Sequence, residues 1–202
     1  MKSQPKADVG VTANRDLPMN SQNDTLVGRA EEILTARCRL RCPDESDIPH
    51  IWSASQTPNF NDGLRWEPPS NIAEMKGPFR RALQSWASGS EYSWTIESRE
   101  NHDFIGWISI RRESEDGEWS IGFWVHPTQQ GQGFATECAS SVLEFGFSRL
   151  RAKVITSAHA TWNTASGRVL RRIGMKHVRT NPRGFKKNQQ WVEEFEYEAR
   201  SD

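Results

Sequence analysis

A chain of 202 residues is long enough to bury a core of its own and has the size of a single domain with short additions. Its 26 lysines and arginines balance 26 aspartates and glutamates, so composition gives no pull toward nucleic acid or a charged membrane surface. No apolar run approaches the roughly 20 residues of a membrane span, and no apolar signal core opens the chain; a soluble, cytoplasmic protein is expected.

Residues 1–28 are polar and without period, and are predicted as a flexible extension before a domain over residues 29–202. Residues 34–41 alternate, with Leu34, Ala36, Cys38 and Leu40 on one side, which predicts a first strand. Asp44, Glu45 and Asp47 favour a helix start, and a short helix runs through Trp52. Pro58, Gly63, Pro68 and Pro69 keep residues 56–70 out of regular structure. A second helix is expected over 71–87, with a break at Pro78. A meander follows over 91–97, 104–111 and 118–125. Ala135, Cys138, Ala139, Val142, Leu143 and Leu150 recur at helical spacing. Residues 153–158 read as a strand and 163–173 as a helix stopped by Gly174. Residues 175–179 and 190–198 read as a hairpin around a long basic loop holding Arg183, Lys186 and Lys187. The thiols of Cys38, Cys42 and Cys138 are expected to be free, and no histidine stands at metal-ligand spacing.

The stretch from Gln130 to Ala135, Q-G-Q-G-F-A, joins the end of a strand to the start of a helix. Unpaired amides and the positive dipole end of such a helix bind phosphate, and the two glycines allow close approach. A Walker loop would require a lysine that is missing here. A dinucleotide fingerprint would require glycine or alanine at Thr136.

The pattern Q-x-x-G-x-G/A is met instead. With Ile121-Gly122-Phe123-Trp124-Val125-His126-Pro127 before it and Thr136-Glu137 after it, the segment resembles the coenzyme A loop of the GCN5-related N-acetyltransferases. It is most similar to the branch that acetylates ribosomal-protein N-termini. The resemblance spans about residues 34–197. It implies an α/β (α+β) fold: one domain with a mixed, mostly antiparallel sheet, flanking helices and a cleft between splayed central strands. It also implies an acyltransferase that moves acetyl from acetyl-CoA to a primary amine by direct transfer in a ternary complex, with no metal.

Residue by residue, the resemblance assigns cofactor contacts to the segment from Gln130 through Gly131, Gln132, Gly133, Phe134 and Ala135 to Thr136. It assigns pairing with pantetheine to the backbone of a bulged strand at Phe123, Trp124 and Val125. In N-x-x-S, here Asn163 to Ser166, the asparagine contacts pantetheine and the hydroxyl lies near the sulfur as the candidate proton donor. The family often carries a glutamate directly before the Ile-Gly pair, where this chain has Ser120. Glu118 shares a face with Ser120 and could act through water; Glu97 and His126 are lesser candidates. Among nine tryptophans, Trp52, Trp66, Trp86, Trp94 and Trp107 fall on elements that wall the acceptor side, and Trp52, Trp66 and Trp94 are the acceptor contacts expected. The acceptor would be a peptide N-terminus or a small-molecule amine, and the protein a monomer or homodimer. The alternatives are a detoxifying acetyltransferase of the same fold and a catalytically silent acyl-CoA-binding module, which Ser120 keeps open.

Overall fold

The computed structural model describes residues 26–201. Most of the expected N-terminal extension lies outside these residues. Its last part is docked: Val27 is buried, its carbonyl accepts from the Trp86 indole at 2.9 Å, and its amide donates to the Tyr92 hydroxyl at 3.3 Å.

The expected first strand is two short ones, β1 (Ile33–Leu34) and β2 (Cys38–Arg41), paired antiparallel. The Thr35 hydroxyl accepts from the Cys38 amide at 2.8 Å and so offers the backbone a turn in place of a continuous strand. Leu34 consequently lies 61% exposed at the sheet edge, whereas Cys38 and Leu40 enter the core as expected. A 3-10 turn (Glu45–Asp47), closed by a capping box between Asp44 and Asp47, leads into helix α1 (Ile48–Ser55). A second 3-10 turn (Ile72–Met75), capped by Asn71, leads into α2 (Lys76–Ser88). Pro78 sits in the first turn of α2, where its missing amide costs nothing, so the expected break is this junction.

Strands β3 (Glu91–Ser98), β4 (Phe104–Arg112) and β5 (Glu118–Val125) form the meander, followed by α3 (Phe134–Ser148), β6 (Val154–Ala160) and α4 (Thr164–Arg172). The expected basic loop is instead the far half of a long strand, β7 (Lys176–Lys187). It pairs with β8 (Gln190–Arg200) through a two-residue turn, Asn188–Gln189, both at positive φ. The sheet order is β1-β2-β3-β4-β5-β6-β8-β7, antiparallel except between β5 and β6.

Strand alternation sorts the two faces. Tyr92, Trp94, Ile96, Ile108, Ile110, Trp119 and Ile121 turn toward α3 and build the main core with Cys138, Val142 and Leu143. Trp107 and Trp124 turn the other way, against a smaller cluster of Ile48, Ile51, Met75 and Phe79 from α1 and α2.

One ionic knot ties the start of α1 to the sheet. Asp47 is 1% exposed, and its carboxylate accepts from Arg41 at 2.7 and 3.0 Å, from Thr95 at 2.7 Å and from the Asp44 amide at 2.9 Å. Arg41 also reaches Glu97 at 2.8 Å. Asp47→Ala strips Thr95 and the Asp44 amide of their acceptor and removes one of the carboxylates that neutralise Arg41, and is expected to cost about 3–5 kcal/mol. A denaturant melt should read this as a lower midpoint at unchanged slope, and a wild-type midpoint would refute the structural role.

Candidate active site

After β5, His126 carries the chain into a 3-10 turn, Pro127–Gln129. Gly131 and Gly133 then take φ of +79° and +86°, the left-handed region that side chains disfavour. Nothing lies within 4 Å of where a Gly131 side chain would begin, so conformation rather than crowding demands glycine there. Gly133 is the N-cap of α3 and offers no side chain to cap it. The amides from Gly131 through Ala135 find no acceptor among the described residues. Unpaired donors at the positive end of a 15-residue helix make an anion site.

Glu137, in the first turn of α3, would repel a phosphate if left bare. It accepts from the Thr35 hydroxyl at 2.6 Å, the Arg37 amide at 2.7 Å and the Arg37 guanidinium at 2.8 Å. Burial pushes its carboxyl up, but these bonds outweigh burial and hold it below its ordinary value. Arg37 also donates to the Gln132 carbonyl at 3.1 Å and lies 4.5 Å over the Phe134 ring. A half-exposed guanidinium is thereby fixed beside the loop.

The second half of the site is an opening in the sheet. β5 and β6 pair only at Glu118–Val154, Trp119–Ile155 and Ser120–Thr156, then separate. Beyond that point the Ile121 carbonyl accepts from Ser157 at 2.9 Å and the Val125 carbonyl from the Gln130 side chain at 3.1 Å. The His126 amide bonds Ile105 on β4, which fixes the ladder's phase and turns the Phe123 backbone groups toward β6. They face the gap. Below it lies a cleft of about 1100 Å³, bounded by β4, β5, β6, α2, α4 and the loop around Trp66.

Residues 37–176, more than half of the chain, match the family model described as an acetyltransferase (GNAT) domain. The chain belongs to the GNAT acetyltransferase family. It is 28% identical over 99 residues to the uncharacterized N-acetyltransferase YnaD of Bacillus subtilis, a match covering 49% of this chain and 58% of YnaD. Solved structures share the fold, among them the following two. RimL, the ribosomal L7/L12 alpha-N-protein acetyltransferase in complex with coenzyme A, gives a TM-score of 0.77 at 18% identity, covering 84% of this chain and 98% of RimL. The microcin C7 self-immunity acetyltransferase MccE, in complex with acetyl-CoA and AMP, gives 0.76 at 15% identity, covering 88% of this chain and 99% of MccE.

In this GNAT domain, the residues expected from sequence fall into three groups. Those from Gln130 to Thr136 gather at the start of α3, although the Gln130 side chain is committed to Val125. Asn163 caps α4, its Oδ1 accepting from the Ser166 amide at 3.2 Å, and both residues line the cleft with Glu118, Ser120, Phe123, Trp124 and Trp66. The rest lie elsewhere. Trp94 is fully buried on the opposite face, edge-on to Phe145 at 5.4 Å, because strand parity sends it into the main core. Trp52 packs against the α1–α2 cluster and Trp86 against Trp94, so neither walls the cleft. Glu97 is tied to Arg41 and Arg39, and His126 bonds Thr128 outside the cleft. No register shift interrupts the β4–β5 ladder, so the implied bulge is absent. Instead, the missing side chain of Gly106 makes room for the Trp124 carbonyl.

Sequence reading missed Arg37, Arg111 and Glu113. Glu113 lies in an acidic turn whose pattern says only "loop", and folds back into the cleft, where Ser120 and Arg111 hold its carboxylate.

Gly133→Glu would place bulk and like charge at the anion site, and would strain the backbone. Isothermal calorimetry on the folded variant should show acetyl-CoA affinity reduced by at least about hundredfold, since several charge-assisted bonds are lost together. Unchanged affinity would remove the site.

Proposed function

We propose that this chain is an N-acetyltransferase that moves acetyl from acetyl-CoA to a primary amine, both bound at once. The observation that carries the reading is continuity. The anion site at α3 leads along the open Phe123 backbone edge to Ser166 and the floor of the cleft. A pyrophosphate followed by an amide-bearing arm and a thioester fits that path: amides for the phosphates, a strand edge for the arm, a hydroxyl for the sulfur. When bound, acetyl-CoA supplies an activated acyl group. The chain's own residues do the rest. The amides of Gly131 to Ala135 and Arg37 hold the anion, Asn163 and the Phe123 backbone align the arm, and Ser166 hydrogen-bonds the departing thiolate.

The acceptor enters from the other side, past Trp66, Trp107 and Trp124. Aromatic walls with a carboxylate at their base suit an amine attached to a flat or peptidic group. The likeness to RimL, an alpha-N-protein acetyltransferase, speaks for a peptide N-terminus, and the likeness to MccE, a microcin self-immunity acetyltransferase, speaks for the second reading, a detoxifying enzyme of the same fold. A silent acyl-CoA-binding module is the third, and absence of turnover separates it from both. No helix among the described residues is long and apolar enough to cross a membrane, and we take the protein to work in the cytoplasm as a monomer or homodimer.

Thiol release from acetyl-CoA against N-terminal peptides, aminoacyl nucleotides, polyamines and aminoglycosides tests the reading, and silence with every amine would sink it. Ser166→Ala should lower kcat by about tenfold, the effect of one hydrogen bond made mainly in the transition state, while acetyl-CoA affinity stays within a few-fold. Wild-type turnover would demote Ser166 to capping. Trp66→Ala should raise the acceptor KM several-fold, about 1 kcal/mol of lost stacking, with acetyl-CoA binding unchanged. A matching fall in melting temperature without a KM change would make Trp66 a packing residue.

A further inference from the structure

Ser120 is the last residue of β5 paired with β6 before the strands part, so its hydroxyl sits at the apex of the opening on the acceptor face. That hydroxyl donates to Glu113 Oε1, not to Glu118 on its own strand. Glu113 reaches it because the chain after β4 turns back: the Glu113 amide bonds the Glu118 carbonyl at 2.8 Å, laying the carboxylate over Ser120. Arg111 fixes the same oxygen, Nη2 at 2.8 Å and Nε at 3.1 Å, while Glu113 Oε2 takes no bond from the described residues. None of the other carboxylates lining the cleft takes a bond from the Ser120 hydroxyl: Glu91 accepts from Ser93 at 3.2 Å, Glu194, Glu196 and Glu198 pair with Arg65, Arg179 and Arg200, and Glu118 is exposed like Glu113 but unbonded to Ser120.

We infer that Glu113, acting through the Ser120 hydroxyl, takes the proton that the acceptor ammonium must lose before it can attack. This rests on the acetyltransferase reading above. The ammonium gives a proton to Ser120 Oγ as the Ser120 proton passes to Glu113, leaving a neutral amine. The amine lone pair forms the C–N bond at the acetyl carbon, and the C–S bond breaks with its electron pair on sulfur. The second nitrogen proton neutralises the thiolate, and Glu113 returns its proton to solvent by the open Oε2. A carboxylate missing from position 120 is thus supplied from a neighbouring turn.

The charged groups around Glu113 are Arg111 on β4, Glu118 on β5 and Arg65 in the loop. Burial pushes the Glu113 carboxyl up, but Ser120 and Arg111 outweigh it and hold it below its ordinary value. It is therefore ionised throughout the neutral range, and the open Oε2 is the route by which it sheds a proton.

The test uses the full chain with an amine that the wild type acetylates. Glu113→Gln should lower kcat about hundredfold near neutral pH, within the usual reach of general-base catalysis. The acceptor KM and the calorimetric acetyl-CoA affinity should hold within a few-fold. The deficit should shrink as pH rises toward the amine's own pKa, where no base is required. The double variant Glu113→Gln with Ser120→Glu, which puts the carboxylate directly on β5, should recover at least about tenfold of the loss. In the unliganded protein, a carbon-13 titration of Glu113 should move upward in Ser120→Ala, because a donor to the carboxylate has gone. Wild-type turnover by Glu113→Gln overturns the inference. So does a deficit equal at every pH, a folded double variant with no recovery, or a Glu113 titration indifferent to Ser120. A wild type that releases no thiol with any amine overturns the acetyltransferase reading, and this inference with it; only that outcome reaches both.

Discussion

Everything functional in this domain depends on two parallel strands that pair for three residues and then part. β5 is committed to β4 over seven residue pairs and β6 to β8 over seven, so neither can swing across to close the gap. Backbone groups exposed by the parting would ordinarily be a liability. Ser157 and the Gln130 side chain settle two of the carbonyls and leave the Phe123 backbone open at the middle. Both helices follow the strands that part. α3 starts just past the end of β5 and α4 just past the end of β6, so the Gly131–Gly133 loop and the Asn163–Ser166 turn flank one mouth. Sheet geometry, not any single side chain, sets the start of α3 and the Asn163–Ser166 turn on either side of the gap.

Charge is then arranged locally, which explains why a neutral composition revealed so little. At the start of α3 the one acidic residue is quenched by Arg37 and Thr35, which also pin the β1–β2 turn to the helix. Inside the cleft, Arg65–Glu194, Arg111–Glu113 and Arg179–Glu196 cancel in pairs. Partly buried pairs of this kind do more to fix side-chain position than to add stability. The balance of 26 cations and 26 anions thus conceals a cleft in which Glu113, Glu194 and Glu196 each have an arginine beside them.

Much of the fold was legible because periodicity and punctuation agreed. The apolar spacing of α3, the alternation in β3 and the Asn163 and Gly174 boundaries of α4 each carry a local physical cause. Where the reading failed, a local choice was hidden. Thr35 folds its own backbone into a turn, so a clean alternation became a hairpin. β7 is solvent-exposed along most of its length and slips register twice, so no period marks it as a strand. The tryptophans show the sharpest limit. Trp107 faces the cleft with Thr95 opposite it, whereas Trp94, one residue earlier than Thr95, is sealed in the core. Composition supplies aromatic residues, and only strand parity says which face receives them. Glu113 was invisible for a related reason: a turn residue acquires its role from where the turn points.

The part of the chain that matches the family ends at residue 176, where the β7–β8 hairpin begins, and this bears on what the family can say about the acceptor. Residues 56–70 form no helix or strand; turns bond part of their backbone locally, at Phe60–Thr57, Asp62–Asn59 and Leu64–Asn61, and the carbonyls of Leu64 and Trp66 are met from outside. Lys187, near the hairpin tip, donates to the Leu64 and Trp66 carbonyls at 3.2 and 3.3 Å and pairs with Glu67 at 2.9 Å. From β8, Glu194, only 2% exposed, holds Arg65 at 2.5 Å, in a space that Gly184 of β7 leaves open by lacking a side chain. The loop that presents Trp66 is therefore positioned largely by a hairpin outside the matched segment. The anion site and the strand gap lie inside that segment and are built from backbone, which tolerates wide sequence change. The tryptophans that line the acceptor side, Trp66, Trp107 and Trp124, lie inside that segment as well, and only the bracing of the Trp66 loop by Lys187 and Glu194 comes from beyond residue 176. A shared fold at 15–18% identity therefore speaks for the frame alone, and what the cleft binds rests on the side chains that each chain places there.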